Sequence, residues 1–375
     1  MGKLRVADLF CGTGALSSGF SATGEFRVVL GIDIRPSSIA TFTANHPSAL
    51  AICSDIRDVR ITDVAERLGE GLDVIVAGPP CQGFSSIRPY RSISENDVRN
   101  NLFEEVLLFV RHFKPQLVVF ENVVGLVRHS NGRVLSAIEQ SFQAAGYSTN
   151  MGVLNAVNYG VPQRRERLIL LAFRGMHRPR LPEPTHHFVG RTMAGTAAIP
   201  NLPLFSQDLP PAITVDQAIG DLPPVAAGKA VFEYDELRPL TNYARQRRKG
   251  SQHLRLHHAT GHTPRMLEII KHAGANRWAL PEGLTTSGFS SCYSRLSGDA
   301  PSTTITVNFV HPASNRCIHP YQNRALTPRE GARLQGFDDD FEFCGSRSHI
   351  VKQIGEAVPP ILGAAVAGTV LDQLQ

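Results

Sequence analysis

Two periods of apolar spacing divide the first 175 residues. Short, nearly continuous apolar runs read LRVADLF (4–10), FRVVLGID (26–33), ALAICSDI (49–56), LDVIVAG (72–78), QLVVFEN (116–122) and RLILLAF (167–173). Runs of this length, rich in Val, Ile and Leu, predict strands buried on both faces. Between them lie stretches of helical spacing. The clearest is 97–113, where Val98, Leu102, Val106, Phe109 or Val110, and Phe113 recur every three or four residues. Asn96 or Asp97 caps it and Pro115 stops it. Strands alternating with helices predict an α/β fold around a mainly parallel, doubly wound sheet.

After Arg174 the pattern breaks. Prolines punctuate RPRLPEPTHH (178–187) and IPNLPLF (199–205), so regular structure should be sparse and a boundary falls here. Residues 238–265 carry seven Arg or Lys and no acid. A helical pattern returns near the end, in GAAVAGTVLDQL (363–374). The expected division is a catalytic and cofactor-binding unit at 1–175, a smaller irregular region at 176–320, and a C-terminal segment at 321–375 that rejoins the first unit.

Composition narrows the class. No apolar run approaches the ~20 residues of a membrane span, and the N-terminus runs straight into a strand pattern without a secretory signal. A cytoplasmic protein with no membrane partner is expected. The six cysteines are scattered without a CxxC pair, which disfavours a zinc ribbon or disulfide framework; no metal is expected. A formal charge of +5 and a pI near 9.0 suit a polyanionic partner.

Candidate chemistry collects at predicted strand ends. Gly12 and Gly14 form a tight turn after the first strand, where backbone N–H groups can approach a ligand. The dinucleotide fingerprint would want a third glycine at Ser17. Asp33 and Asp55 end the next two strands, and an acid roughly 20 residues after the turn can grip ribose hydroxyls. Cys81 follows the fourth strand directly after Pro79 and Pro80, whose fixed φ stiffens the approach to the thiol. A packing cysteine needs no such aim, whereas a nucleophile does. Glu121 ends the fifth strand; partly buried, its pKa would rise into the range useful for proton transfer. Arg165 and Arg167, two apart at a strand start, share one face, where they can reach phosphate, a pyrimidine oxygen or Glu121.

Six stretches, in this order, carry a resemblance: DLFCGTGALSSGF (8–20), GPPCQGFS (78–85), ENV (121–123), QRRERL (163–168), RALTPREGARLQGF (324–337) and VKQIGEAVPP (351–360). Together they resemble the motifs of bacterial-type DNA cytosine-C5 methyltransferases, over roughly 1–175 and 290–375. The resemblance implies a Rossmann-like methyltransferase sheet, S-adenosyl-L-methionine as methyl donor, and double-stranded DNA as partner. It implies a target cytosine flipped out of the duplex, attack of Cys81 on C6, and Glu121 at N3. Arg167 would contact the ring carbonyl and Glu121, and Arg165 a backbone phosphate. Around the donor it implies Phe10, Gly12, Gly14, Leu16, Asp33, Ile34, Asp55, Ile56, Pro79, Leu102, Glu356 and Val358. A protein monomeric on DNA, solitary or paired with a cognate restriction endonuclease, is expected.

This chain departs from the family pattern in four places, one of them GFDDDF (336–341) in place of a proline-bearing turn. Ala15 replaces a common glycine, Asp33 stands for the usual glutamate, and Glu356 for the usual asparagine, which puts an acid beside the donor site. The region about 176–320 takes the place of the target-recognition domain. Its basic run suits phosphate neutralisation, with Tyr243 and the histidines placed to touch bases. The loop with Ser85, Ser86 and Arg88 is expected to close over the flipped base. A transfer-RNA methyltransferase of the same fold is disfavoured by Gly83 and the long insert. A non-catalytic DNA-binding paralogue is disfavoured by the intact set Cys81, Glu121, Arg165 and Arg167, and a dinucleotide oxidoreductase by Ser17.

Overall fold

The computed structural model describes residues 2–69, 71–80, 102–128, 132–188, 208–285 and 288–374. Seven strands among them form one sheet: β1 (Leu4–Leu9), β2 (Phe26–Asp33), β3 (Leu50–Cys53), β4 (Val74–Ala77), β5 (Leu117–Asn122), β6 (Tyr147–Asn155) and β7 (Glu166–Arg174). The order is β3-β2-β1-β4-β5-β7-β6. Pairing is parallel from β3 through β5, and β7 runs antiparallel to both β5 and β6. The chain winds outward from β1 to β3, then returns to place β4 on the other side of β1. Such a switch point opens a crevice at the carboxyl ends of the two strands.

The six apolar runs account for six of these strands. β6 is additional, because YSTNMGVLN is polar at half its positions and sits at the sheet edge. Its support is a nine-residue antiparallel pairing with β7, from Tyr147 opposite Arg174 to Asn155 opposite Glu166. That partnership has no signature within the nine residues themselves.

Both faces of the sheet are covered, which explains why the strands read as unbroken apolar runs. On one face Ala7, Leu9, Ile75, Ala77, Val118 and Phe120 meet helices α3 (Ile61–Leu68), α4 (Leu102–Phe113) and α6 (Arg133–Ala144), α5 being the single turn Gly125–Arg128. On the other, Val6, Val28, Val74, Val76 and Val119 meet α1 (Ala15–Ala22) and α2 (Pro36–Asn45), together with the C-terminal helix (Pro360–Leu374). The described part of the helix expected at 97–113 is α4, and Lys114 leaves it at φ 47° before Pro115.

Between Arg174 and Val215 the described residues hold no helix and no strand beyond isolated bridges. Five helices follow: α7 (Val215–Ile219), α8 (Asn242–Arg248), α9 (Pro264–Lys271), α10 (Pro328–Leu334) and α11 (Arg347–Glu356). A third cluster, containing Val215, Tyr243, Leu254, Phe309, Leu334 and Ile354, joins much of this part. α10 begins with a capping box, Thr327 against Glu330. The C-terminal helix, α12, then packs on α1 so closely that a Cβ at Gly19 would lie 2.4 Å from the Pro360 carbonyl oxygen. Among the described residues no single helix is long and apolar enough to cross a membrane.

Candidate active site

The turn after β1 is built from left-handed backbone. Phe10, Gly12 and Gly14 have φ of 61°, 53° and 75°. At Phe10 that conformation is unfavourable for a non-glycine residue, and such strain is concentrated at functional sites. Gly14 is required for space as well, since a Cβ there would come within 2.8 Å of the Phe42 ring and 2.9 Å of His46. Gly12 is open by contrast: the nearest group to a Cβ would be the Arg35 guanidinium, 4.0 Å away. Asp33 fixes the turn, accepting from the Gly12 N–H and the Arg35 N–H, both at 2.9 Å.

The strand ends that carry several of the residues expected around the donor lie at the same edge. Leu9, Ile32 and Ala77 align across β1, β2 and β4, so the ends of these strands share one edge. Ile34 stands 61% exposed at the lip, whereas Leu16, Ile56, Leu102 and Pro79 are buried and Val358 is half-buried. Asp55 lies two residues beyond β3, as the cap of a single 3-10 turn. The Arg57 guanidinium holds it at 2.9 and 2.6 Å and keeps its carboxyl below the usual range.

One acid that the strand reading passed over belongs here. Asp8, inside β1, is buried, and burial pushes its carboxyl up to about 7, with Ser17 opposing and Asp33 adding to the shift. Ser17, where the dinucleotide fingerprint wants glycine, therefore sits beside a buried acid and also donates to the Gly14 carbonyl (3.2 Å). The signal that finds Asp8 is an acid within an apolar run. Neighbouring Cys11 is no nucleophile: burial, then Asp8 and Asp33, hold its thiol well above the ordinary value. Burial likewise pushes Cys317 up to about 12. Cys81 lies outside the described residues, as do Ser85, Ser86, Arg88 and Val98.

One strand further along, β4 and β5 run in register with Ala77 opposite Phe120, which sets Glu121 beside Gly78. A Cβ on Gly78 would lie 3.1 Å from Glu121 Oε2, so the carboxylate rests against the segment leading to Cys81. Asn122 pins that segment by donating to the Pro79 carbonyl (3.1 Å). Because β7 is antiparallel, its beginning reaches the same edge. Arg167 Nε meets Glu121 Oε1 at 2.9 Å. Both side chains are nearly buried, and burial raises the Glu121 pKa although Arg167 and Arg165 oppose it. A carboxyl that burial holds above its ordinary value and a guanidinium orients is a candidate for general acid–base work.

Arg165 does not serve as a phosphate contact in this structure. Its guanidinium is buried and donates to the carbonyls of Ile305 (3.0 Å), Gly355 (3.0 Å) and Glu356 (3.2 Å). Period-two spacing put both arginines on one face, but the segments packed on that face gave them different partners. Arg165 ties the C-terminal end of α11 to the site. There the Glu356 carboxylate is paired with Arg35 and has Lys352 at 3.8 Å. The acid that replaces asparagine thus enters with compensating charge, and Arg35 links it to Asp33.

The basic run also changes meaning. Tyr243 is buried and its hydroxyl donates to the Arg333 carbonyl (2.6 Å), and His257 is buried between Thr327 and the Pro223 carbonyl. Neither can touch bases. Arg238, Arg245, Arg247, Arg248 and Arg255 all bond within the protein, Arg248 stacking 3.8 Å from the Tyr234 ring centroid. Part of the run thus braces the fold, while Arg245, Lys249, Arg255 and Arg265 remain exposed.

A sheet of this order, with one antiparallel strand and a glycine–aspartate crevice at its central strand ends, defines a methyltransferase-type α/β enzyme. Residues 4–372 match the family model of C-5 cytosine-specific DNA methylases, and the chain belongs to that family. It is similar to the Type II methyltransferase M.AgeI of Thalassovita gelatinovora, 32% identical over 98% of this chain and 99% of the relative. It is equally similar (32%) to M1.HphI of Haemophilus parahaemolyticus, over 98% of this chain and 87% of the relative. The fold is shared with a prophage-encoded protein of E. coli, described as a DNA modification methyltransferase, at a TM-score of 0.75, 21% identity and 99% coverage of both chains. Spodoptera frugiperda DNMT2 follows at 0.63 and 14% identity, covering 98% of this chain and 100% of that one.

Proposed function

We propose that this enzyme methylates C5 of a flipped-out cytosine in a specific double-stranded DNA sequence, through a transient covalent bond from Cys81 to C6. The observation that carries the reading is the Glu121–Arg167 pair, set against Gly78 three residues before Cys81 and one strand from the glycine turn. The Gly78–Pro79 segment that leads to the proposed nucleophile and the Glu121 carboxyl share one edge, which supports a reading in which both act on a base bound beside the crevice.

S-adenosyl-L-methionine, when bound, supplies an electrophilic methyl group. The open face of Gly12, the apolar lip at Ile34 and the Asp33 carboxylate fit such a ligand. Phe10, Leu16, Asp55, Ile56, Pro79, Leu102 and Val358 complete its surroundings, and Gly14 shapes the turn. The chemical difficulty is that C5 of cytosine is a poor nucleophile while the ring is aromatic. Addition of the Cys81 thiolate to C6 converts C5 to an enamine carbon. Glu121 holds the proton at N3 that stabilises this adduct, and Arg167 holds Glu121. After C5 has gained its methyl group, loss of the C5 proton expels the thiolate and restores the ring. Arg165 acts as a positioning residue, bracing Glu356 and the 305 segment. The Type II names of its relatives support a partnership with a restriction endonuclease.

Bisulfite sequencing of DNA from cells expressing the protein tests the reading, and transfer RNA assayed alongside tests the disfavoured substrate. The expected result is C5 methylation in one short duplex sequence. Duplex carrying 5-fluorocytosine at that site should trap Cys81 covalently in the presence of the methyl donor; no adduct there would sink the mechanism.

A further inference from the structure

The surface carries one feature that neither the strand-end crevice nor the buried charges use. Trp278 and Phe289 are 73% and 64% exposed, two large rings whose burial against a partner would be favourable. They stand on adjoining arms: the Arg277 N–H donates to the Ser290 carbonyl (2.9 Å) and the Arg277 guanidinium to the Gly288 carbonyl. The same guanidinium lies 5.2 Å from the Trp278 ring centroid.

The root of these arms is firm. The Arg295 N–H donates to the Gly274 carbonyl (2.8 Å), its side chain to Ala273 and Ile270, and Arg316 to Ala275. From the root, hydrogen bonds lead back to the site. The Tyr293 N–H donates to the Pro312 carbonyl (2.7 Å), Thr304 Oγ1 to the Arg164 carbonyl (2.8 Å), and Arg165 to the Ile305 carbonyl (3.0 Å). The segment after the rings is therefore fastened at residues 304 and 305 to Arg164 and Arg165. In sequence the flanking cations are Arg265, Lys271 and Arg277 and the flanking acids Glu268 and Glu282, and Glu268 is engaged by His272 at 2.9 Å.

We propose that Trp278, with Phe289 beside it, contacts base surface of the duplex next to the target cytosine and is a specificity-determining residue of this enzyme. The proposal rests on the cytosine methyltransferase reading above. A neutral ring neutralises no phosphate; it gains by stacking on a base or wedging between base steps. Arg277, stacked on the indole, supplies the accompanying positive charge.

Trp278 is the sole tryptophan of the sequence, so intrinsic emission reports on it alone. The probe is a duplex bearing the sequence mapped by bisulfite sequencing, with a fluorescein-labelled copy for anisotropy. Titration should quench Trp278 emission in parallel with the anisotropy rise. W278A should weaken binding about tenfold while leaving the slope of log affinity against log salt unchanged, since no phosphate contact is lost. W278F should keep most of the affinity. A duplex that binds with emission unchanged, or W278A binding as tightly as the parent, overturns the proposal. So does self-association of the protein that W278A abolishes without altering DNA binding. If the parent neither binds nor methylates any duplex, anisotropy and bisulfite sequencing show that the methyltransferase reading itself has failed, and this proposal with it.

Discussion

Two buried sets of arginine–carboxylate pairs, at the strand-end site and around α10, do different work. At the strand-end site, Arg167 is the guanidinium on Glu121 among the described residues, at 2.9 Å, and the carboxyl stays above its ordinary value. Around α10, Arg333 meets Asp339 at 2.5 and 2.6 Å and Asp221 at 3.1 Å. Arg329 adds a second guanidinium to Asp339, and Arg324 grips Glu330 with two bonds of 2.7 Å. Burial alone would push Glu330 up, but Arg324 more than reverses this and holds it well below the carboxylate range. The closed network has no proton to give and so braces the region after β7. Burial leaves the Glu121 carboxyl above its ordinary value although Arg167 and Arg165 oppose it, a perturbation of the kind found at catalytic carboxyls. Burial is common to both; the number of donors on the carboxylate separates them.

The largest expected effect lies beside the single pair. Cys81→Ser should abolish methyl transfer while duplex binding survives, measured by methyl incorporation and anisotropy; a variant with substantial turnover refutes the role given to the thiol. Glu121→Gln should slow turnover by roughly 10²–10⁴-fold with little change in melting temperature, because a neutral amide still fits beside Arg167. In the network the signs reverse. Arg333→Met leaves Asp339 and Asp221 short of charge and should cost about 3–5 kcal/mol of stability, read by thermal or denaturant unfolding. Equal effects of the Glu121 and Arg333 variants on stability would erase the contrast.

The smallest effect concerns Asp8, whose carboxyl is buried with no guanidinium bonded to it. Its pKa rises from 3.8 to about 7 on folding, so the folded state holds its proton more tightly. That contribution is fully present below pH 4 and is lost as pH rises through 7. Asp8→Asn should remove this slope, flattening stability between pH 4 and 7 by a few kcal/mol at most, at about 1.4 kcal/mol per pH unit. An unchanged pH dependence of unfolding would show Asp8 to be solvated.

Much of the site is legible in single stretches of sequence. The glycine turn, Asp33 at the end of β2, the proline-stiffened approach to Cys81 and Glu121 at the end of β5 each follow from local pattern plus one rule, that strand ends of a parallel sheet share an edge. Local text misled where the partner was distant. The run 238–265 read as a cationic face with Tyr243 exposed, but the carbonyl of Arg333 takes its hydroxyl and the main chain and acids take most of its arginines.

Sequence alone named the residues proposed to carry chemistry and predicted a mainly parallel sheet, because apolar period and turn residues act over a few positions. Tertiary structure decided the rest. The reversal of β7 brought Arg167 to Glu121, and the packing of the 305 segment and α11 took Arg165 out of reach of solvent. It also paired Glu356 with Arg35, 321 residues away in sequence. Such outcomes depend on which surfaces meet across the fold, and burial and electrostatic compensation are properties of that meeting.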